Sequence, residues 1–215
     1  QAIAAALDFR QIAQSVTDGL ASANASVVAT PSRYYSSVQQ RGFTYDPAKA
    51  ARLLKEAGYT GQRIVLMANK NERDTYETAV IAHAMLQAAG LNVALEIVEW
   101  ATQLDRYSKG NYQMQSFSYS SRFDPALGFE QIAGPKDKQP RKIWEEPEAL
   151  ALIQKSMVVT DTAERQKIFD DLHKRFINEV PTIFTHNDLD IVAHSKKVSG
   201  ADAIIAGERK VYSLC

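Results

Sequence analysis

The feature of this sequence that most constrains its fold is the alternation of strand-like and helix-like segments through the middle of the chain. The stretches "RIVLMA" (63–68), "LNVALEIVEW" (91–100) and "NYQMQSFSY" (111–119) are typical of strands, because their apolar residues cluster or alternate as a sheet requires. Between the first two, residues 74–89 have helical spacing, and Gly90 follows as a stop signal. Strands separated by helices predict an α/β fold in which helices cross over a central sheet.

Composition excludes several classes of partner and cofactor. Lys and Arg together number 25, as do Asp and Glu, and no polybasic cluster occurs, so we expect no nucleic-acid partner. The one cysteine, Cys215, is the last residue, which excludes a disulfide framework and a thiolate metal site. The motifs G-x-S-x-G and G-x-G-x-x-G and the Walker-type phosphate loop are absent, and we expect no cofactor.

The first 44 residues suggest a helix, a long irregular connection and a chain that is part of a longer one. "QAIAAALDFRQIAQSVTDGL" predicts one helix that stops at Gly19. It carries neither an initiator Met nor a signal-type cleavage site, so we expect the chain to be part of a longer one. Residues 21–44 show no helical or strand periodicity, and a connection of this length is either functional or crosses the surface of another lobe.

Helix-start signals are clearest where an aspartate precedes a proline or an acidic first turn. Asp46-Pro47 and Asp124-Pro125 place an N-cap before a proline at the first helical position, where a missing N–H has no cost. Asp161 with Glu164 resembles a capping box. These positions predict the starts of three helices.

A possible metal site lies in "HNDLD" (186–190), which brings His186, Asp188 and Asp190 together. The same stretch falls between the strand-like segments "TIFTH" and "DIVAHSKKV", where a hairpin turn favours Asn and Asp. We therefore keep two interpretations, a turn or the centre of a metal-dependent hydrolase. A bound divalent ion would favour the second.

Two further candidates lie at the ends of predicted strands, where open α/β sheets hold their ligands. Trp100 ends the second strand-like segment and either stacks on a ligand or packs in the core. The polar loop from Asn69 to Arg73 follows the first segment.

Seven stretches, in their order along the chain, carry a resemblance to a known family. They are "QAIAAALDFRQI", "YDPAKAARLLKEAGY", "AHAMLQAAGLNVALEIVEW", "YSSRFDP", "TDTAERQKIFDDLHKRF", and "EVPTIF" followed by "SKKVSG". Together they resemble the C-terminal lobe of bacterial extracellular solute-binding proteins of family 5, the dipeptide, oligopeptide, glutathione and nickel receptors of ABC importers. The resemblance extends from Gln1 to about Tyr212.

The resemblance implies that residues 1–215 form one α/β lobe of a type II periplasmic-binding-protein-like fold, with a central mixed sheet flanked by helices and residues 21–44 as a long irregular connection within it. It implies a binding protein, not an enzyme, that captures a peptide-like or other small polar solute between this lobe and a missing N-terminal lobe. The partners would be that lobe and an ABC permease in the membrane. The location would be periplasmic, or extracellular and membrane-associated, in a bacterium.

The resemblance also assigns roles in "YSSR". By position, Tyr119 would be an aromatic wall of the pocket and Arg122 an anchor for a ligand carboxylate, to which a guanidinium offers two parallel N–H bonds. Ser120 and Ser121 stand where peptide-binding members often carry an Asp for the ligand's amino group, and the second serine replaces a usual glycine. With Trp100 and Asn69, these residues are the predicted ligand contacts. A structural domain without a ligand site is the remaining alternative.

Overall fold

The computed structural model of the chain describes residues 1–120, 122–187 and 195–197. In chain order its elements are α1 (Ala2–Ala5), α2 (Phe9–Val16), α3 (Pro47–Glu56), β1 (Ile64–Ala68), α4 (Arg73–Ala88), β2 (Val93–Ile97), α5 (Trp100–Lys109), β3 (Met114–Gln115), α6 (Pro125–Ile132), α7 (Pro147–Val158) and α8 (Thr162–Glu179). No helix in these ranges combines the length and the apolar character that crossing a membrane requires.

The strands form a sheet of order β2-β1-β3 in which both pairings are parallel. Helix α4 leads from β1 to β2 and α5 leads from β2 to β3, so the predicted α/β class with crossover helices is confirmed. The expected mixed sheet is corrected for the described strands, since none of them pairs antiparallel with another. Parallel pairing follows from the helical crossovers, which return each strand in the same direction.

The sheet separates layers of helices. Leu66 lies in an apolar cluster with Ile12 of α2 and Leu86 of α4, which cover one face. On the other face lies α5, whose Arg106 places its Nη1 atom 3.9 Å from the Met67 sulfur. A second apolar cluster is built from helices α6, α7 and α8 and contains Phe129, Ile153 and Phe169. The sheet core and this helical core are the two packing centres of the described chain.

The three helix starts predicted from N-cap residues are confirmed. The carboxylates of Asp46, Asp124 and Asp161 accept hydrogen bonds from the backbone N–H groups of Lys49 (2.8 Å), Ala126 (3.0 Å) and Glu164 (2.7 Å). Each of these aspartates is the N-cap of its helix. The prediction of one helix over the first 20 residues was wrong. Asp8 accepts from the N–H groups of Arg10 and Gln11, and by capping α2 it separates that helix from α1.

Two other expectations need correction. Trp100 does not end a strand, because β2 stops at Ile97 and Trp100 is the first residue of α5. "TIFTH" forms no strand in the described chain beyond an isolated antiparallel bridge between Ala23 and His186. Most of "DIVAHSKKV" lies outside the described residues.

Buried His173 on α8 leads to a prediction about pH. Its side chain is 1% exposed, Nε2 donates to the Arg41 carbonyl oxygen at 2.7 Å, and Nδ1 has no hydrogen-bond partner among the described residues. Burial lowers the pKa of His173, against the opposing effects of the Arg41 carbonyl and of Asp170. The unfolded chain, with a His pKa of about 6.5, therefore binds more protons in acid than the folded one.

Acidification is thus expected to destabilise the folded chain. Stability contributed by neutral His173 is complete above pH of about 6.5 and is lost progressively below it. Urea unfolding between pH 7.5 and 5 should show a larger loss in the wild type than in His173→Gln, which keeps an N–H for Arg41 and does not titrate. Parallel pH profiles for the two proteins would contradict this.

Candidate functional site

A groove of about 770 Å³ lies beyond the carboxyl ends of β1 and β3. Its walls are the segments 20–22 and 26–32, the first turns of α4, the segment 116–120 that follows β3, the start of α6, and residues 183–187. Ligands of open parallel sheets bind at this end of the strands, because the loops that connect strands to helices converge there. The groove is therefore the candidate binding site.

The segment 116–120 forms the side of the groove nearest the sheet. The N–H of Ser116 donates to the Met67 carbonyl at 2.9 Å and extends the β1–β3 ladder by one bond. The Ser116 hydroxyl donates to the Thr75 carbonyl at 2.7 Å, which fixes the first turn of α4 beside the strand exit. The sheet thus sets the position of both the strand exit and the start of α4.

Tyr119 stands in this segment as part of an aromatic group. Its ring centroid lies 5.4 Å from that of Phe117, 6.4 Å from that of Tyr107 and 6.3 Å from that of Phe184. Burial, followed by the neighbouring Tyr107 hydroxyl, raises the pKa of Tyr119, so the phenol stays neutral at physiological pH. What Tyr119 offers the groove is a rigid aromatic surface.

Arg122 lies on the groove lining and is exposed. The Gln131 amide, with its oxygen turned to the guanidinium, accepts from Arg122 Nη2 at 3.0 Å and from Nε at 3.2 Å. Ser120 also lines the groove, whereas Ser121 lies outside the described residues. The structure therefore brings Tyr119, Ser120 and Arg122 to one groove.

The two other predicted contacts, Asn69 and Trp100, do not line the groove. Asn69 is 2% exposed, its Nδ2 donates to Gln103 Oε1 at 2.6 Å, and its Oδ1 accepts from the N–H of Asn71 at 2.8 Å. Trp100 stacks on Phe117, with ring centroids 5.8 Å apart. Neither residue is part of the groove lining, and both stay predictions as ligand contacts.

Asp124, next to the candidate loop, ties that loop to α8. Both of its carboxylate oxygens accept from Arg165 Nη2 at 2.8 Å. Arg165 also donates from Nε to the Ser156 carbonyl at 2.9 Å and from Nη1 to the Tyr34 hydroxyl at 3.2 Å. Its guanidinium lies 5.3 Å from the centre of the Phe169 ring. The position of the loop thus depends on a residue more than 40 positions away in sequence.

Sequence reasoning did not identify the wall formed by residues 26–32. Buried Asn24 organises it, because its Nδ2 donates to the Val28 carbonyl at 3.0 Å and to Asn187 Oδ1 at 2.8 Å, and its Oδ1 accepts from the N–H of Ser26 at 3.0 Å. The N–H of Asn24 donates to the Thr185 carbonyl at 3.0 Å. The absence of periodicity over residues 21–44 was the signal that the sequence offered for this segment, and it predicted either a functional connection or one that crosses another lobe.

His186 lines the groove, and its Nδ1 lies 2.9 Å from the Thr185 hydroxyl. Asp188 and Asp190, its partners in the hydrolase hypothesis, lie outside the described residues. Within residues 1–120, 122–187 and 195–197, no three side chains of His, Cys, Asp or Glu are placed to hold a metal ion. The hydrolase hypothesis receives no support from the described part of the chain.

Residues 1–139 match the family model described as "Bacterial extracellular solute-binding proteins, family 5 Middle". Two curated relatives are Di/tripeptide-binding protein 4 of Pseudomonas aeruginosa, 28% identical over 70% of this chain, and the glutathione-binding protein GsiB of Pectobacterium atrosepticum, 25% identical over 76%. The matched regions cover 29% and 34% of those relatives, so this chain corresponds to a minor part of each.

The fold has close counterparts among solved structures. One is the ABC transporter-associated periplasmic binding protein DppA from Helicobacter pylori in complex with the peptide STSA, with a TM-score of 0.82 at 21% identity. The superposition covers 93% of this chain and 40% of that one. At this identity the likeness concerns the fold, and it agrees with a lobe of the type II periplasmic-binding-protein architecture.

Proposed function

This chain belongs to the bacterial extracellular solute-binding proteins of family 5, and on that premise we propose that it forms one wall of the ligand cleft in the substrate-binding component of an ABC importer. The ligand would be a peptide-like or other small polar solute that carries a carboxylate. It would be held without chemical conversion and delivered to a permease in the membrane. The location would be periplasmic, or extracellular at the membrane surface.

The observation that carries the proposal is the position of Arg122 on the lining of an accessible groove at the carboxyl ends of the strands. The Gln131 amide, with its oxygen turned to the guanidinium, accepts from Nη2 and Nε and so orients the guanidinium. A guanidinium held in this way can offer a planar pair of N–H groups to a carboxylate. Tyr119 would supply an aromatic wall, and Ser120 a hydroxyl.

A second lobe would complete the cleft. Leu20 in the groove lining is 61% exposed, and Phe123 beside Arg122 is 74% exposed. Large apolar side chains left exposed around a polar groove are typical of a surface that another part of the protein covers. Closure of two lobes about a hinge would cover them and exclude water from the bound solute. The relatives' greater length agrees with such a second lobe.

Substitution of Arg122 in the full-length receptor tests the proposal. Calorimetric titration with a panel of di- and tripeptides should give an affinity about 100-fold weaker for Arg122→Gln than for the wild type, since a charge pair is lost in an enclosed cleft. Arg122→Lys keeps the charge but loses the planar fork, and we expect it to recover only part of the affinity.

Arg52 is the matched control, because it is an exposed arginine on α3 that pairs with Glu56 and is not part of the groove lining. Arg52→Gln should leave binding unchanged. Equal affinities of the wild type and Arg122→Gln for every ligand that binds would favour a domain whose ligand site lies elsewhere.

A further inference from the structure

We propose that the contact between Val27 and Gly128 determines which solutes the groove accepts, because it closes the groove beside Arg122. The inference rests on the function proposed above and adds a restriction to it. A solute whose carboxylate is held by Arg122 would have to carry a small substituent on the carbon next to that carboxylate. Bulkier solutes with the same charge would be rejected.

The groove side of α6 has a gap in its middle. Pro125, Gly128 and Gln131 line the groove, and residues three apart lie on one face of a helix. A glycine inside a helix makes the helix less stable than an alanine would. Gly128 does not have a positive φ, so the backbone conformation does not require glycine here. The close approach of a neighbour accounts for it instead.

That neighbour is Val27, on the opposite wall of the groove. A Cβ atom added at Gly128 would lie 3.1 Å from Val27 Cγ1 and 3.7 Å from the Val27 carbonyl oxygen. Carbon atoms pack at about 3.5–4.0 Å, so a methyl group would fit only if Val27 moved. Both residues belong to the groove lining, Val27 in the wall formed by residues 26–32 and Gly128 on α6. Where the two walls approach so closely, no solute atom fits between them.

Val27 is held in place by the residues on either side of it. The hydroxyl of buried Ser26 donates to Gln39 Oε1 at 2.7 Å and accepts from the N–H of Val28 at 3.0 Å. The Val28 side chain is 0% exposed and packs in the helical core. Valine is branched at Cβ, which restricts its side-chain conformations. Val27 therefore cannot easily withdraw from α6, and the constriction is a fixed feature of the groove.

The constriction lies about one helical turn from the proposed carboxylate anchor. Gly128 precedes Gln131 by three residues, which is a rise of about 4.5 Å along the axis of α6. The Gln131 amide, with its oxygen turned to the guanidinium, accepts from Arg122. A solute carboxylate bound to Arg122 would therefore hold its neighbouring substituent close to Val27, and the bulk of that substituent would decide whether the solute fits.

The test compares three tripeptides that differ only in the side chain next to the carboxylate: trialanine, Ala-Ala-Leu and Ala-Ala-Phe. In calorimetric titrations of the full-length protein, the wild type should bind trialanine at least about 30-fold more tightly than Ala-Ala-Phe, because a single methylene in a close-fitting pocket is worth about 10- to 200-fold in discrimination. In Val27→Ala, which removes the two methyl groups at the constriction, this ratio should fall to about threefold or less. Val27→Thr restores the bulk and should restore the discrimination. Val80→Ala is the matched control, since Val80 is 39% exposed on α4 and is not part of the groove lining, and its ratio should equal that of the wild type.

A double-mutant cycle tests the contact itself without any ligand. In the wild-type background Gly128→Ala should lower the urea midpoint of unfolding, because the new methyl group meets Val27. In the Val27→Ala background the same substitution should raise the midpoint, because the space is open and alanine favours the helix. Equal shifts in the two backgrounds would mean that the walls do not meet at these residues, and would overturn the inference.

The outcomes separate this inference from the function on which it rests. If Val27→Ala keeps the wild-type ratio while Arg122→Gln weakens the binding of all three peptides, the groove binds the solute but this constriction does not select it, and only the inference fails. A wild type that binds the three peptides equally has the same meaning. If Arg122→Gln has no effect on any peptide, or if no peptide binds, the proposed site is wrong and the inference fails with it.

Discussion

Replacing Arg165 by methionine is expected to lower the free energy of unfolding by about 3–4 kcal/mol. The side chain of Arg165 is 14% exposed and joins α8 to the candidate loop through both oxygens of Asp124. Methionine fills a similar volume but leaves the Asp124 carboxylate and the Ser156 carbonyl without this donor. Asp124 is 41% exposed, so water can hydrate part of the orphaned charge, and the loss stays below that of a fully buried pair.

Urea unfolding of the chain measures this effect, with Arg52→Met as the control. Arg52 lies on α3, is 64% exposed and pairs with Glu56 at 3.7 Å, so its loss should cost less than about 0.5 kcal/mol. In the full-length protein Arg165→Met should also weaken the proposed ligand binding, because Asp124 caps α6 only two positions after Arg122. If the two methionine variants were equally stable, α8 would not be what positions the loop.

The sequence predicted best those features that neighbouring residues decide. The helix starts at Asp46, Asp124 and Asp161 follow from an aspartate oxygen that caps N–H groups two or three positions later. The same rule was available for Asp8, where the regular apolar spacing around it favoured a continuous helix. There the cap prevailed and the helix was interrupted.

Features that depend on distant residues were beyond sequence reasoning. The predicted strand over residues 111–119 is reduced to β3, because only Met114 and Gln115 of that stretch pair with β1 in the described chain. Asn69 follows a strand as a ligand contact should, yet its amide is bonded to Gln103, 34 positions away. The residues around Asn69 in the sequence give no sign that Gln103 is its hydrogen-bond partner.

In the candidate site, too, residues within a short motif could be predicted from the sequence, whereas residues placed by distant contacts could not. Tyr119 and Arg122 were predicted as ligand contacts from the family resemblance of a short motif, and both line the groove. Asp74 was within a predicted helix and carried no signal of its own, because contacts between distant residues, such as the bond from the Ser116 hydroxyl to the Thr75 carbonyl, bring that turn beside the strand exit. The role of residues 26–32 depends likewise on Asn24, whose partners lie in two separate parts of the chain.

Replacement of Asn24 by leucine is expected to destabilise the chain by about 3–5 kcal/mol. Asn24 is 3% exposed, and its side chain supplies donors to the Val28 carbonyl and to Asn187 Oδ1 and an acceptor for the N–H of Ser26. Leucine has a similar volume but leaves the buried Ser26 N–H and Val28 carbonyl without the Asn24 side chain as a partner, at a cost of about 1–3 kcal/mol each before relaxation. The loss of stability should therefore be greatest in the wall formed by residues 26–32.

Hydrogen exchange and urea unfolding together check this expectation. Amides of the segment 26–32 should lose protection in Asn24→Leu even under conditions where the sheet core stays folded, because the segment contains no helix or strand of its own. Asn24→Asp keeps the shape but replaces the donating amide by an acceptor facing the Val28 carbonyl and Asn187 Oδ1, so we expect it to be at least as destabilising as leucine. Asn71→Ala, at an exposed position, should cost less than about 0.5 kcal/mol. An aspartate variant as stable as the wild type would mean that the amide donors of Asn24 do not hold this wall. Packing of Val27 against Gly128 would then hold it. That contact is tight, because a Cβ atom added at Gly128 would lie 3.1 Å from Val27 Cγ1.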